Sequence, residues 1–484
     1  MLSVLPRPAP VAPPPAAAEA PPSDLALVKR LIWLYFWLLI FEGALRKWFL
    51  PGWSNPLLLI RDPVVILIYI FAVAARVFPH NGFITWITGL GVVTFLISEL
   101  CGHGNLLVSL YGFRTSFLHL PLIFVVPNVF TRADLDRMAK WFLITSIPMC
   151  LIVIAQFRGS PDDWINNGAG GTQGAQLEVG FGKIRPPGTF SFTAVLVSYL
   201  SVVAAFAIHS QMQRDHHNFK ISLFALPALA IMVGISGSRS ALGAVTIILL
   251  SVAVICVKQS VFFGRGIKTI VILGAAYLAL NSWSEFRQGV EIHHARIEGG
   301  GGLKDGMVMR ALGDLLEPFS AMFDTPFFGT GLGMGTNAAS GFLYGRVVFN
   351  LGEGDWGRIV RESGPLLGFL YIGLRIAILI HLSRRSLESL NRNNDPLPML
   401  LLAATFPQVL NGQFGVPSLL GFAVFNAGLC LAATADPEPV LAPAPAQQPE
   451  MATVTTARSF RGRSVYSEQL HGEAEDPAVA RFGP

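Results

Sequence analysis

The sequence predicts an all-α integral membrane protein, and three observations carry that prediction. Hydrophobic residues make up 52% of the 484 and charged residues only 13%, against roughly 25% charged in an average soluble protein. Apolar runs approaching or reaching the roughly 17–25 residues that cross a hydrocarbon core recur along the whole chain. The charges fall singly between those runs instead of gathering on a face. Length alone would suggest several soluble domains, and hydropathy overrules it.

Residues 1–26 are rich in Pro and Ala without the apolar core of a signal peptide, and read as a disordered tail. Apolar segments then fall near 27–41, 56–75, 83–98, 117–130, 139–157, 188–209, 219–236, 240–257, 267–283, 365–382, 398–410 and 416–434. About twelve transmembrane helices follow. The last two are short and share Asn411-Gly412-Gln413, which leaves a helical hairpin or one broken span. Residues 435–484 read as a second tail.

Lys and Arg in the short loops set the orientation. With the N-terminus cytoplasmic, the inner loops carry Lys29, Arg30, Arg76, Arg132, Arg137, Lys140, Arg214, Lys220 and Lys258, then Arg265, Lys268, Arg384, Arg385 and Arg392. The short outer loops carry about half as many, so both termini are expected inside. The one long loop, 284–364, then lies outside the cytoplasm, and a loop of that length is seldom a mere connector.

The net charge of +5 comes with no basic face or nucleic-acid motif, so no nucleic-acid partner is expected. Cys101, Cys150, Cys256 and Cys430 have neither CxxC nor zinc spacing, and imply neither a metal site nor a disulfide framework. "GTGLGMG" (329–335) lacks the Lys-Ser/Thr and strand-turn-helix context of a phosphate loop and by itself reads as a flexible turn.

Arg239, in "SGSRSALGAV" (236–245), is a permanent charge between two apolar runs. At mid-bilayer it would cost roughly 2.5–3.5 kcal/mol, and the orientation above places it in a short outer turn instead. Arg114, Lys183, Arg185, Arg310, Arg346, Arg358 and Arg361 fall on the same outer side, with Arg46, Lys47 and Arg61. For the last three an interfacial role is the plainer reading, with Asp62 as a local partner for Arg61. Guanidinium groups bind phosphate or carboxylate oxygens with two parallel hydrogen bonds and stay charged where water is scarce. Converging at a membrane surface, they suit a lipid-linked diphosphate.

Four stretches, "KIRPPGTFSFTAVLVSYL" (183–200), "SGSRSALGAV", "FDTPFFGTGLGMGTNAAS" (323–340) and "GEGDWGRIVRESGPLLGFLYIGLR" (352–375), carry a resemblance, with "YGFRTSFLHLPLIF" (111–124) beside them. Together they resemble the O-antigen ligase and polymerase family of polysaccharide-assembling bacterial membrane proteins over about residues 90–430. The resemblance implies glycosyl transfer from an undecaprenyl-diphosphate-linked glycan donor to a glycan or lipid acceptor, at the periplasmic face of the inner membrane and with no cofactor or metal. A chain-length regulator is a further partner it suggests, besides membrane lipids.

On that reading Arg185 and Arg239 stabilise the departing diphosphate, and Glu353, Asp355 or Glu362 serves as the acceptor's base. Arg114, Trp356, Arg358 and Arg361 contact substrate. The ligase branch has a histidine about nine residues before a Glu-x-Gly. Here Glu362-Ser363-Gly364 is that motif and Glu353 stands in the histidine's place, a departure that favours a polymerase. Two other classes fit a multispan chain: a transporter or flippase for such glycans, and a non-catalytic subunit of an envelope-assembly complex.

Overall fold

In a computed structural model of the chain, the residues described are 22–213, 218–299, 309–336 and 354–435. They are mostly helical. In order, the helices are α1 (Pro22–Ala44), α2 (Ser54–Leu58), α3 (Arg61–Ala74), α4 (Gly82–Leu100), α5 (Leu106–Phe113), α6 (Leu122–Val129), α7 (Arg132–Arg158) and α8 (Thr193–Met212). They continue as α9 (Phe219–Ile235), α10 (Arg239–Lys258), α11 (Phe263–Leu280), α12 (Ser284–Gly299), α13 (Met309–Asp324), α14 (Asp355–Asn393), α15 (Leu397–Asn411) and α16 (Pro417–Ala433). Each apolar segment of the sequence overlaps a helix, although 56–75 is divided between α2 and α3 and 117–130 holds only the short α6 after a break.

Among the described residues, seven helical segments are long and apolar enough to cross a membrane, or eight if the pair 106–118 and 122–129, bent by 43°, is one span. Three more apolar helices, α9, α15 and α16, are shorter. The last two are separate helices packed on one another, so the Asn411-Gly412-Gln413 break makes a hairpin.

Caps start several helices where the sequence supplies them. Asn81 and Asn105 accept from the backbone N–H three residues on, and Thr131 with Asp134 forms a reciprocal capping box at α7. Helix α8 is apolar on all sides, and 94% of its spanning window is buried, as befits a helix enclosed by others. It packs against α7, α9, α10, α15 and α16. Helix α11, only 17% buried over its window, turns Ile270, Val271 and Leu278 outward. Such extensive exposed apolar surface belongs in lipid rather than water.

Three features differ from the sequence reading. Residues 22–26, expected in the tail, open α1. A two-stranded hairpin, β1 (Glu178–Gly180) with β2 (Lys183–Ile184), interrupts the otherwise all-α chain. It sits in a second long connection, 159–192, where positive-φ glycines at 180 and 182 allow the tight reversal. Of the loop 284–364, the described parts contain two helices, α12 and α13, the turn 325–336 and the first turns of α14.

Candidate functional site

Gln156 of α7 is one of the side chains that anchor the connection 159–192. The Gln156 amide accepts from Gly188 N at 2.7 Å and donates to Gly188 O at 3.1 Å, and Lys47 Nζ donates to the same carbonyl at 2.6 Å. On either side of Arg185 the backbone is tied down, through Arg185 N to Leu177 O at 2.8 Å and Thr193 Oγ1 to Arg185 O at 3.0 Å. The Arg185 side chain has no hydrogen-bond partner among the described residues, and its Nε is buried. It lines a cavity of about 470 Å³.

Arg358, Asp355 and Gly354 from the start of α14 line the same cavity, with Gly335 and Thr336 from the glycine turn and Gln413 and Gly415 from the α15–α16 connection. Leu177, Phe192, Ala194, Val416 and Leu419 supply an apolar wall. The "GTGLGMG" segment is thus a tight turn at a cavity. Gly329 and Gly364, at φ 76° and 78°, let two backbones touch; a Cβ on Gly364 would lie 2.1 Å from Phe327 O.

The cavity-lining Asp355 and Arg358 belong to a buried network of two carboxylates and two guanidinium groups, with Glu362 and Arg375 behind them. Arg358 donates through Nε and Nη2 to Asp355 Oδ1 at 3.1 and 3.0 Å, and through Nη1 to Glu362 Oε2 at 2.9 Å. Arg375 Nη1 donates to Asp355 Oδ2, while its other nitrogens hold Val409 O at 2.8 Å and Gly412 O at 3.0 Å. Its guanidinium lies 3.9 Å from the Phe414 ring centroid. Phe414 N completes Asp355 Oδ1 at 3.0 Å, and Gly335 N completes Glu362 Oε1 at 2.8 Å. The set is internally neutral, and every carboxylate oxygen in it already accepts a hydrogen bond.

Arg239 opens α10 directly after the turn 236–238, which packs on Val179 of β1 through Gly237. Arg239 Nη1 reaches Arg296 O at 3.4 Å. It does not line the cavity, yet it is near enough to act on Arg185. Burial first, and the like charge of Arg239 second, hold Arg185 below the ordinary guanidinium value. Neither arginine is paired with a carboxylate among the described residues, so this end of the cavity attracts anions.

Other expected site residues lie elsewhere. Arg114 is buried against Asp62 and donates to Leu58 O at 2.7 Å, away from the cavity, because the bend after α5 turns it toward α3. Asp62 being engaged by Arg114 and by His119 at 3.0 Å, Arg61 pairs instead with Glu42, at 2.8 Å. Trp356 is neither at an interface nor in the cavity: its ring is buried and Nε1 donates to Leu410 O at 2.6 Å. Arg361 turns to Glu317 of α13, at 2.7 Å. Arg358, expected to contact substrate, lines the cavity but is paired with Glu362, and both are buried. Glu353, like Arg346, lies outside the described residues; its neighbour Gly354 lines the cavity.

Arg375 and Gln413 escaped the sequence reading. An arginine inside the apolar run 365–382 was the available signal for the first, and the polar break between two short spans for the second. No protein-family model matches this chain, and no characterised protein matches it significantly in sequence.

Proposed function

We propose that the chain is a membrane glycosyltransferase that transfers or polymerises an undecaprenyl-diphosphate-linked glycan at the periplasmic face of a bacterial inner membrane, metal-independently and with polymerisation favoured. In this reading the helices make twelve spans with both termini cytoplasmic, and 159–192 and 284–364 face the periplasm. The observation that carries it is the amphipathic cavity, where the unpartnered Arg185 guanidinium meets an apolar wall. A lipid-linked diphosphate needs both surfaces at once.

The donor's diphosphate is bound by Arg185, with Arg239 adding positive potential behind it. As the bond from the anomeric carbon to the diphosphate oxygen breaks, the electron pair leaves with that oxygen, and two fixed cations in a water-poor site stabilise it. The acceptor hydroxyl attacks the same carbon and gives its proton to a carboxylate. Asp355 and Glu362 have their oxygens occupied by N–H donors, which suits them to holding the shape of the cavity rather than taking a proton. The role of base passes to Glu353, next to the cavity-lining Gly354.

The test is transfer by purified protein given undecaprenyl-diphosphate glycan from the host, without nucleotide or metal, following released lipid diphosphate and glycan length. Arg185→Ala is expected to lower release by about 10²–10³-fold, with Arg239→Ala and Glu353→Gln also impaired, and Arg185→Lys to restore little because it loses the planar fork. Release that stays at the wild-type rate in Arg185→Ala would overturn the assignment. No release by wild type, even with a separate core acceptor, would leave transport or assembly as the role.

A further inference from the structure

Helix α13 belongs to no span, yet it shows three faces. One packs on the protein through Pro318 and Ala321, with Leu315 and Met322 partly buried against the core. A second is polar and exposed, with Ser320 and Asp324, while the exposed Asp314 lies near the helix start at the edge of the packed side. The third holds Met309, Leu312, Leu316, Phe319 and Phe323, all exposed, Phe323 to 83%. These five recur at helical spacing within an arc of about 80° at 3.6 residues per turn. Phe327 and Phe328 extend the exposed apolar surface past the helix end.

Its depth is set by what it touches. Phe319 lies 5.3 Å, centroid to centroid, from Phe369 of α14. Phe369 is five residues beyond the Gly364 break, about 7 Å along the helix, and so within the apolar part of that span. The outward residues of α14 at this level, Leu366 and Leu370, are themselves exposed. The apolar stripe of α13 therefore continues the lipid-facing surface of α14.

We propose that α13 is an in-plane membrane helix whose Leu312, Leu316, Phe319 and Phe323 insert among the lipid chains beside α14. One face on protein, one in hydrocarbon and one in water is the arrangement an interfacial helix requires. The apolar stripe itself calls for acyl chains rather than headgroups. The stripe's spacing would also suit a coiled-coil seam with a second copy, but its continuity with Leu366 and Leu370 favours lipid. Burying the stripe in the membrane also fixes the start of α14, since Glu317 on the protein side pairs with Arg361 and lies against Gly354 and Gly357. The proposal does not rest on glycosyl transfer.

The test uses full-length protein with Cys101→Ser, removing the exposed cysteine, and single spin labels on Leu312→Cys, Leu316→Cys, Phe319→Cys, Phe323→Cys, Asp314→Cys, Ser320→Cys and Asp324→Cys. In phosphatidylcholine vesicles, collisions with oxygen, which partitions into lipid, are compared with collisions with a water-soluble nickel chelate. The oxygen-to-nickel ratio should be several-fold higher at 312, 316, 319 and 323 than at 314, 320 and 324. All seven side chains are exposed, and each position is read independently, so one poorly folding variant leaves the pattern legible. Uniform nickel access would overturn the proposal. So would dipolar broadening at 319 and 323 that vanishes on dilution with unlabelled protein, which would assign the stripe to a second copy.

Discussion

A single lysine shows how burial changes what a charge does. Lys47 is buried, with Gly188 O as its hydrogen-bond acceptor and the Trp48 ring 4.3 Å away, and burial pushes its ammonium down to about 7. An unfolded lysine titrates near 10.4. Between those values the unfolded chain holds a proton that the folded chain has released, so stability rises with pH, by at most about 1.4 kcal/mol per pH unit. Below pH 7 both states hold the proton and the dependence vanishes. The unfolding midpoint in detergent should climb from pH 7 to pH 9 in wild type and much less in Lys47→Met; an equal climb in both would remove Lys47 as the cause. The sequence marked Lys47 as interfacial, and it could not show the carbonyl 141 positions away that receives it.

Among the elements, α14 carries the most consequence for the site. Gly364 breaks it at φ 78°, so residues 355–363 tilt away from the span and deliver Asp355 and Arg358 to the cavity. An alanine there would meet both a strained backbone and Phe327 O at 2.1 Å. Gly364→Ala is expected to cost about 2–3 kcal/mol or more, seen as a lower unfolding midpoint, whereas the exposed and uncrowded Gly89→Ala in α4 should be neutral or slightly stabilising. A Gly364→Ala protein as stable as wild type would mean the break is dispensable. The Glu-x-Gly was visible in the sequence, but only as a spacing. That its glycine lets α14 meet the turn before the cavity is a matter of two segments about 35 residues apart.

For the whole molecule, orientation is the property on which the periplasmic reading depends. Topology reporters fused after residues 237 and 320 should both report an extracytoplasmic position, since the basic loops lie on the other side. A cytoplasmic signal at either would dismantle an outer site made by Arg185, Arg239 and α14. The connection 159–192 supplies Ala175, Gln176, Leu177, Arg185 and Phe192 to the cavity, as many residues as the described part of the longer loop does. Arg185 was visible in the sequence, but the part played by 175–177 was hidden because a polar, glycine-rich segment has no periodicity to read.

The sequence by itself determined the helical membrane class, the places of the apolar segments and the presence of arginines between them, because hydrophobicity and helix breaks act over a few neighbouring residues. Only the tertiary structure decided which charges are spent and which are free. Arg61 goes to Glu42, Arg114 to Asp62 and Arg375 to Asp355, since a buried charge must find a partner and packing chooses it. Among the described residues, Arg185 is left without one. That choice depends on helices far apart in the chain, which is why the arginines were legible from the residues and the cavity was not.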